Sequence, residues 1–141
     1  MNRAVLITGG SARIGKALSL GLAKDGWTIV IHFRQSGNQA KQLAQSINKT
    51  GGHAVTVGGN LNIPAELDSL VERAAETAGM PITALINNAS TFEQDSAHDF
   101  SHALFDHHMD VNVRAPLRLA QSFAAQIPSS ETGAIINMID Q

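Results

Sequence analysis

Residues 6–15 read LITGGSARIG, and this stretch decides the fold. An apolar run, RAVLIT (3–8), leads into it, and a helical pattern, IGKALSLGLAKDG (14–26), leads out. Ile14, Leu18 and Leu22 share one face of that helix, and Gly26 can end it in a left-handed C-cap. The stretch is therefore a strand, a glycine turn and a helix. Short turns of this kind need glycine for unusual backbone angles and for the close approach of a ligand such as phosphate. The helix N-terminus adds free N–H groups and a positive dipole end. The spacing G-x-G-x-x-G is not present; the glycines available are Gly9, Gly10 and Gly15. A tight turn with no ligand has the same local signature. Its place in the first strand–helix unit favours the anion-binding reading.

The alternation continues along the chain. TIVIHF (28–33), HAVTVG (53–58), ITALIN (82–87) and GAIINMID (133–140) read as further strands. NQAKQLAQSINKTGG (38–52) reads as a helix with Leu43, Ala44 and Ile47 inward. PAELDSLVERAAETAG (64–79) reads as a single helix, with Pro64 in its first turn and Leu67, Leu70, Val71 and Ala74 inward. A long helix covers about 99–127, and Pro116 within it is expected to kink it or to weaken it. Continuously apolar strands separated by helices imply a parallel sheet covered on both faces. Right-handed crossovers then give α/β architecture, a doubly wound parallel sheet of Rossmann type. Residues 1–141 are expected to form one dinucleotide-binding domain, incomplete at the C-terminus. After the fifth strand no helix follows to cover its apolar face.

Composition narrows the function. A hydrophobic share of 43% with 16% charged residues suits a globular chain and not a disordered one. With no cysteine, thiolate metal sites and cysteine nucleophiles are excluded. No apolar run approaches the roughly 20 residues needed to span a bilayer, and a cytoplasmic protein is expected. The charges are asymmetric. Residues 1–60 hold seven Lys or Arg against one acid, Asp25, while residues 61–141 hold three Arg against eleven acids. The basic half suits a small phosphorylated ligand. The basic residues are too dispersed, and the aromatics too few, to suggest nucleic acid.

Four motifs, taken in order, carry a resemblance that spans the chain. The pattern Thr8-Gly9-x-x-x-Arg13-Ile14-Gly15 resembles the T-G-x-x-x-G-I-G turn of the short-chain dehydrogenase/reductase family, with arginine at the middle glycine. LINNAS (85–90) resembles its N-N-A-G, VNVRAP (111–116) its helix asparagine motif, and IINMID (135–140) its fifth strand. The resemblance implies a nicotinamide cofactor. It places Gly9, Ser11, Arg13, Ile14 and Gly15 at the phosphates, and Asn88, Ala89 and Ser90 beside the nicotinamide half. His32, Phe33 and Arg34 end the second strand near the adenosine ribose, and Asn60-Leu61 stands where the family usually has Asp-Leu or Asp-Val near the adenine.

The cofactor is read as NADP(H). An NAD site usually has an acid at the end of the second strand. No Asp or Glu occurs from Gly26 to Ala65, and Arg34 can offer a 2′-phosphate two donors and a charge. Arg34 as a solvated surface charge is the plainer alternative.

Departures from the general pattern are similar to the pteridine reductase branch, including bacterial dihydromonapterin and dihydrofolate reductase-like members. They are Arg13 in the turn, NNAS followed by Thr91-Phe92, and Asp140 where a serine is usual. This implies NADPH-dependent reduction of a pterin, dihydropterin or folate C=N bond. Phe92 would stack on the pterin, Arg13 and Ser90 would bond its edge, and Asp140 would hold or relay a proton to nitrogen. Asn112, in the family, orders a proton-relay water. Phe92 as a loop plug and Asp140 as an ordinary strand-end residue are the alternatives. A carbonyl reductase of the 3-oxoacyl type and a non-catalytic NADP-binding fragment remain open.

The family's catalytic pair is Y-x-x-x-K, shortly beyond the fifth strand. The sequence contains no tyrosine, so the 141 residues are expected to be inactive alone and part of a longer enzyme. The resemblance also implies a homo-oligomer, dimer or tetramer. His98, His102, His107 and His108 gather around the start of the long helix. No metal is expected there, and a solvated or interface-facing helix start is the reading preferred.

Overall fold

The computed structural model describes residues 3–139. Five strands, β1 (Ala4–Ile7), β2 (Thr28–Phe33), β3 (His53–Gly58), β4 (Ala84–Asn87) and β5 (Ala134–Asn137), form one parallel sheet in the order β3-β2-β1-β4-β5. Six α-helices accompany them: α1 (Arg13–Lys24), α2 (Gly37–Lys49), α3 (Pro64–Asp68), α4 (Leu70–Ala78), α5 (His102–Met109) and α6 (Ala115–Gln126). The strand–helix alternation and the doubly wound sheet are those read from the sequence.

Successive strand residues point to opposite faces, and each face has its own core. Ala4 and Leu6 of β1 pack with Leu67, Leu70, Val71, Ala74, Leu119 and Phe123. Val5 and Ile7 pack with Ala40, Leu43, Ala44 and Ile47 on the other face. The inward residues expected of the second and third predicted helices are all buried.

The first helix differs from expectation. Ile14 is 57% exposed, and Leu18 and Leu22 are only half-buried. The buried residues of α1 are Gly15 and Ser19. Ser19 donates to the Gly10 and Gly15 carbonyls, at 3.1 and 2.9 Å, so α1 meets the turn through its smallest residues. Apolar periodicity is blind to a contact made by glycine and serine.

The helix predicted over 64–79 is two. Ser69 separates α3 from α4, where its hydroxyl and the Arg73 guanidinium both donate to the Glu66 carbonyl. The long helix predicted over 99–127 starts later, with Ser101 as N-cap, its hydroxyl accepting from the Leu104 N–H. It is also interrupted by a π-helical turn, Asp110–Arg114, which ends two residues before Pro116. Proline has no N–H to donate and crowds the carbonyl four residues earlier; widening the preceding turn relieves both demands. Strand bounds are tighter than predicted for β1, β4 and β5. As expected, β5 is bare, with Ile135 and Ile136 42% and 48% exposed.

The chain leaves β1 toward β2 on one side and reaches β4 on the other. A crevice opens at the carboxyl ends of the strands where this direction changes, which is where open α/β sheets bind ligands.

Candidate cofactor and substrate groove

The crevice is a groove of about 1310 Å³ that runs from Arg34 past the glycine turn to Phe92. Its floor is the turn itself. Gly9 has φ +60°, and its N–H donates to His32 Nδ1 at 3.2 Å. The Gly10 N–H donates to the His32 carbonyl at 3.0 Å. Thr8, almost fully buried, accepts through Oγ1 from the N–H groups of Asn88 and Ala89, at 3.0 and 2.9 Å. Asn88 returns two bonds, its Nδ2 donating to the Thr8 and Gly9 carbonyls. The ends of β1 and β4 are thereby stitched into one surface. In the sequence Thr8 is only a letter of the turn pattern; its role as a double acceptor requires the β4 loop to be in place.

His32 belongs to this scaffold. Because Nδ1 accepts from Gly9, Nε2 carries the proton and donates to the Gly59 carbonyl at 2.9 Å. The ring borders the groove, yet both nitrogens are engaged inside the protein, so it supports the turn more than it offers a ligand contact. Burial pushes its pKa below the ordinary 6.5, the Gly59 hydrogen bond opposes this, and the Arg73 charge adds to the lowering. The folded chain therefore holds His32 neutral where the unfolded chain would bind a proton. The stability it contributes is complete above the unfolded value of about 6.5 and is lost as pH falls from there toward the lowered folded value. Unfolding in urea at pH 7.5 and 5.5 should show the natural protein losing more stability on acidification than His32→Gln, although the variant is weaker at both values. Equal losses would contradict this.

Arg13 stands at φ +52°, the only non-glycine residue with positive φ among the described residues. The left-handed backbone suited to a glycine is thus retained with an arginine in place, at a cost of about 1–2 kcal/mol. Such strain concentrates at functional sites. Arg13, Ser11 and Ile14 line the middle of the groove, and Ser11 shares a 2.9 Å hydroxyl–hydroxyl bond with Ser36. Phe33, Arg34, Asn60 and Leu61 line its end beside the carboxyl ends of β2 and β3. No Asp or Glu occurs among the described lining residues. Gly15 lines no wall but lies under the turn, where a side chain could not fit.

At the opposite end stand Ser90, Thr91 and Phe92. Phe92 is 86% exposed, with its ring nearly parallel to that of His108 at 6.5 Å. Asn112, in the π-helical turn, grips Thr91 by its main chain: Oδ1 accepts from the Thr91 N–H and Nδ2 donates to its carbonyl, at 3.0 and 2.9 Å. Asn137 and Met138 also reach the groove, and Asn137 accepts a bond from Asn87 at 2.8 Å. Asp140 lies outside the described residues.

The histidines divide. His98 and His102 are exposed, whereas His107 and His108 anchor the loop between β4 and α5. A purely solvated helix start does not describe the latter pair. Among the described residues no group of three or more His, Asp or Glu is placed to hold a metal ion.

The family model described as short chain dehydrogenase matches residues 3–140. The crystal structure of FolM alternative dihydrofolate reductase 1 from Brucella canis, complexed with NADP, superposes with a TM-score of 0.94 at 36% identity, covering 99% of this chain and 55% of that one. A short chain dehydrogenase from Burkholderia cenocepacia in complex with NADP gives 0.87 at 32% identity, covering 96% and 54%. The 3-oxoacyl-[acyl-carrier-protein] reductase FabG of Staphylococcus epidermidis is 24% identical over 98% of this chain and 56% of its own length. The chain thus spans about half the length of these relatives.

Proposed function

The chain belongs to the short chain dehydrogenase family, and on that premise we propose that its groove binds NADP(H) and serves the reduction of a pterin, dihydropterin or folate C=N bond. The observation that carries the reading is the character of the groove's two ends: an arginine with no acid beside it at one, and a nearly free aromatic face at the other. The NADP complex of the dihydrofolate reductase FolM supports both halves of it.

The residues fit the cofactor. The glycine turn lines the groove beside the α1 N-terminus, where a pyrophosphate would sit, and Arg34, at the groove's end, would face a 2′-phosphate. Asn60 and Leu61 would border the adenine, while Asn88, Ala89 and Ser90 would border the nicotinamide. When bound, the reduced cofactor supplies a hydride. Phe92 packs on the flat substrate, Arg13 and Ser90 bond its edge, and Asp140 delivers or relays a proton to the ring nitrogen. Asn112 acts through Thr91, as a positioning residue, since its amide is engaged there. Since these residues include no tyrosine, turnover is assigned to the intact natural protein and not to residues 1–141 alone.

Reduction of a 3-oxoacyl carbonyl is the second reading, favoured by the likeness to FabG. Assaying NADPH oxidation by the intact natural protein separates the two. The proposal expects turnover with a dihydropterin. It also expects Phe92→Ala to raise the dihydropterin KM roughly tenfold while leaving NADPH binding within twofold, as loss of one stacked aromatic contact implies. Turnover with a 3-oxoacyl thioester alone, or equal loss of both ligands, would overturn it.

No helix among the described residues is long and apolar enough to cross a membrane, and a cytoplasmic location is part of the proposal. So is a homo-oligomer. Phe105, Met109, Val113 and Leu117 recur every four residues along α5, the π-helical turn and α6, and all are exposed.

A further inference from the structure

We propose that His107 is a positioning residue that ties the loop between β3 and α3, on the nucleotide side of the groove, to the loop between β4 and α5, on its substrate side, and thereby holds the Thr91–Phe92 wall of the groove in place. The tie is a continuous hydrogen-bonded chain. Asn60 Oδ1, at the adenine end, accepts from the Asn62 N–H at 3.0 Å. Asn62 Nδ2 donates to His107 Nδ1 at 3.0 Å. With Nδ1 accepting, Nε2 carries the proton and donates to Thr91 Oγ1 at 3.1 Å. Thr91 and Phe92 then form the substrate end.

Three features separate this bridge from ordinary packing. Neither Asn62 nor His107 lines the groove, although each bonds a residue at or beside its wall. The bridge is polar throughout and leaves Asn62 Oδ1 buried with no partner among the described residues. An apolar contact would fill the same space without that penalty but would not fix the position of a hydroxyl. The bridge also meets Asn112 at the same residue: Asn112 holds the Thr91 main chain and His107 its side chain. His108 secures the next turn of the loop, accepting from the Glu93 N–H at 3.0 Å. Residues 88 and 89 are held by the glycine turn, whereas residues 91–93 take their shape from α5, the π-helical turn and the nucleotide-side loop.

What the wall contacts rests on the proposed pterin reading; that His107 orders the wall does not. The test is amide hydrogen exchange in the intact natural protein saturated with NADP+. In His107→Ala, exchange of the Thr91 and Glu93 amides should quicken at least tenfold, with the amides of β1 and β4 unchanged. His107→Gln, which can keep a donor near the Nε2 position, should recover most of the protection. Thr91→Val breaks the bridge from its other end and should reproduce the effect at Glu93. With a dihydropterin, His107→Ala should raise KM five- to tenfold while kcat and the NADP+ dissociation constant stay within twofold. Unchanged exchange in the loop, faster exchange throughout the molecule, or His107→Gln behaving as His107→Ala would overturn the proposal. If the parent protein fails to turn over any dihydropterin, the substrate reading falls while the exchange data still decide the bridge.

Discussion

Replacing Gly15 by alanine should weaken NADP+ binding more than a hundredfold and lower the melting temperature as well. A Cβ at this position would overlap the Gly9 carbonyl oxygen, and would stand 2.8 Å from Asn88 Nδ2 and 2.9 Å from the Gly10 Cα. These are main-chain atoms and a side chain already committed to Thr8 and Gly9, so none can yield cheaply. Overpacking of this kind costs about 1–3 kcal/mol in stability. The larger effect falls on the ligand. Opening the turn moves the very N–H groups expected to face a pyrophosphate, and each misplaced charge-assisted bond is worth about 1.5–3 kcal/mol. Gly21 in the same helix is the control. Nothing lies within 4 Å of a Cβ there, so Gly21→Ala should stabilise by up to about 1 kcal/mol and leave binding unchanged. Fluorescence titration with NADPH, beside a thermal melt, reads both quantities. Gly15→Ala binding within tenfold of the parent would mean that the turn does not shape the site.

The groove was legible in the sequence wherever one residue type serves one physical demand. Glycine at 9 and 15, apolar runs on parallel strands, and the absence of acid around Arg34 each follow from local composition. Leu43, Ala44 and Ile47 were legible for the same reason, as large apolar residues at helical spacing. The missed features depend on local geometry that hydropathy does not register or on partners distant in sequence. The buried face of α1 is Gly15 and Ser19, residues with no hydropathic signal. The break at Ser69 arises because Arg73 and Ser69 both reach the Glu66 carbonyl, a competition that helix periodicity does not express. The π-helical turn could be suspected from Pro116 but not placed. His107 and His108 read as part of a solvated or interface-facing helix start because their partners, Asn62, Thr91 and Glu93, lie 15 or more residues away. The sequence shows Arg13 in place of a glycine; that it keeps the glycine's left-handed backbone is evident only from its φ angle.

That arginine and Arg34 give the groove its positive character, and they frame the second large effect. Arg34 is exposed at the nucleotide end, followed by Gln35 and Ser36, with no carboxylate among the described lining residues to hydrogen-bond a free ribose 2′-hydroxyl. A guanidinium can grip a 2′-phosphate with two parallel bonds. An aspartate at the same place would repel that phosphate and accept from the hydroxyl of NAD(H) instead. Arg34→Asp should therefore weaken NADP(H) by about tenfold to a hundredfold, corresponding to the 1.5–3 kcal/mol typical of a hydrogen bond to a charged group, and improve NAD(H). Raised salt should erode NADP(H) binding in the parent more than in the variant, because the parent contact is between exposed charges.

The most direct measurement is the pair of dissociation constants for NADP+ and NAD+, determined on the intact natural protein and on Arg34→Asp under one buffer and salt condition. The account predicts that the natural protein binds NADP+ at least tenfold more tightly and that the variant loses or reverses this preference. Equal affinities in the natural protein, or a preference left intact in Arg34→Asp, would contradict it.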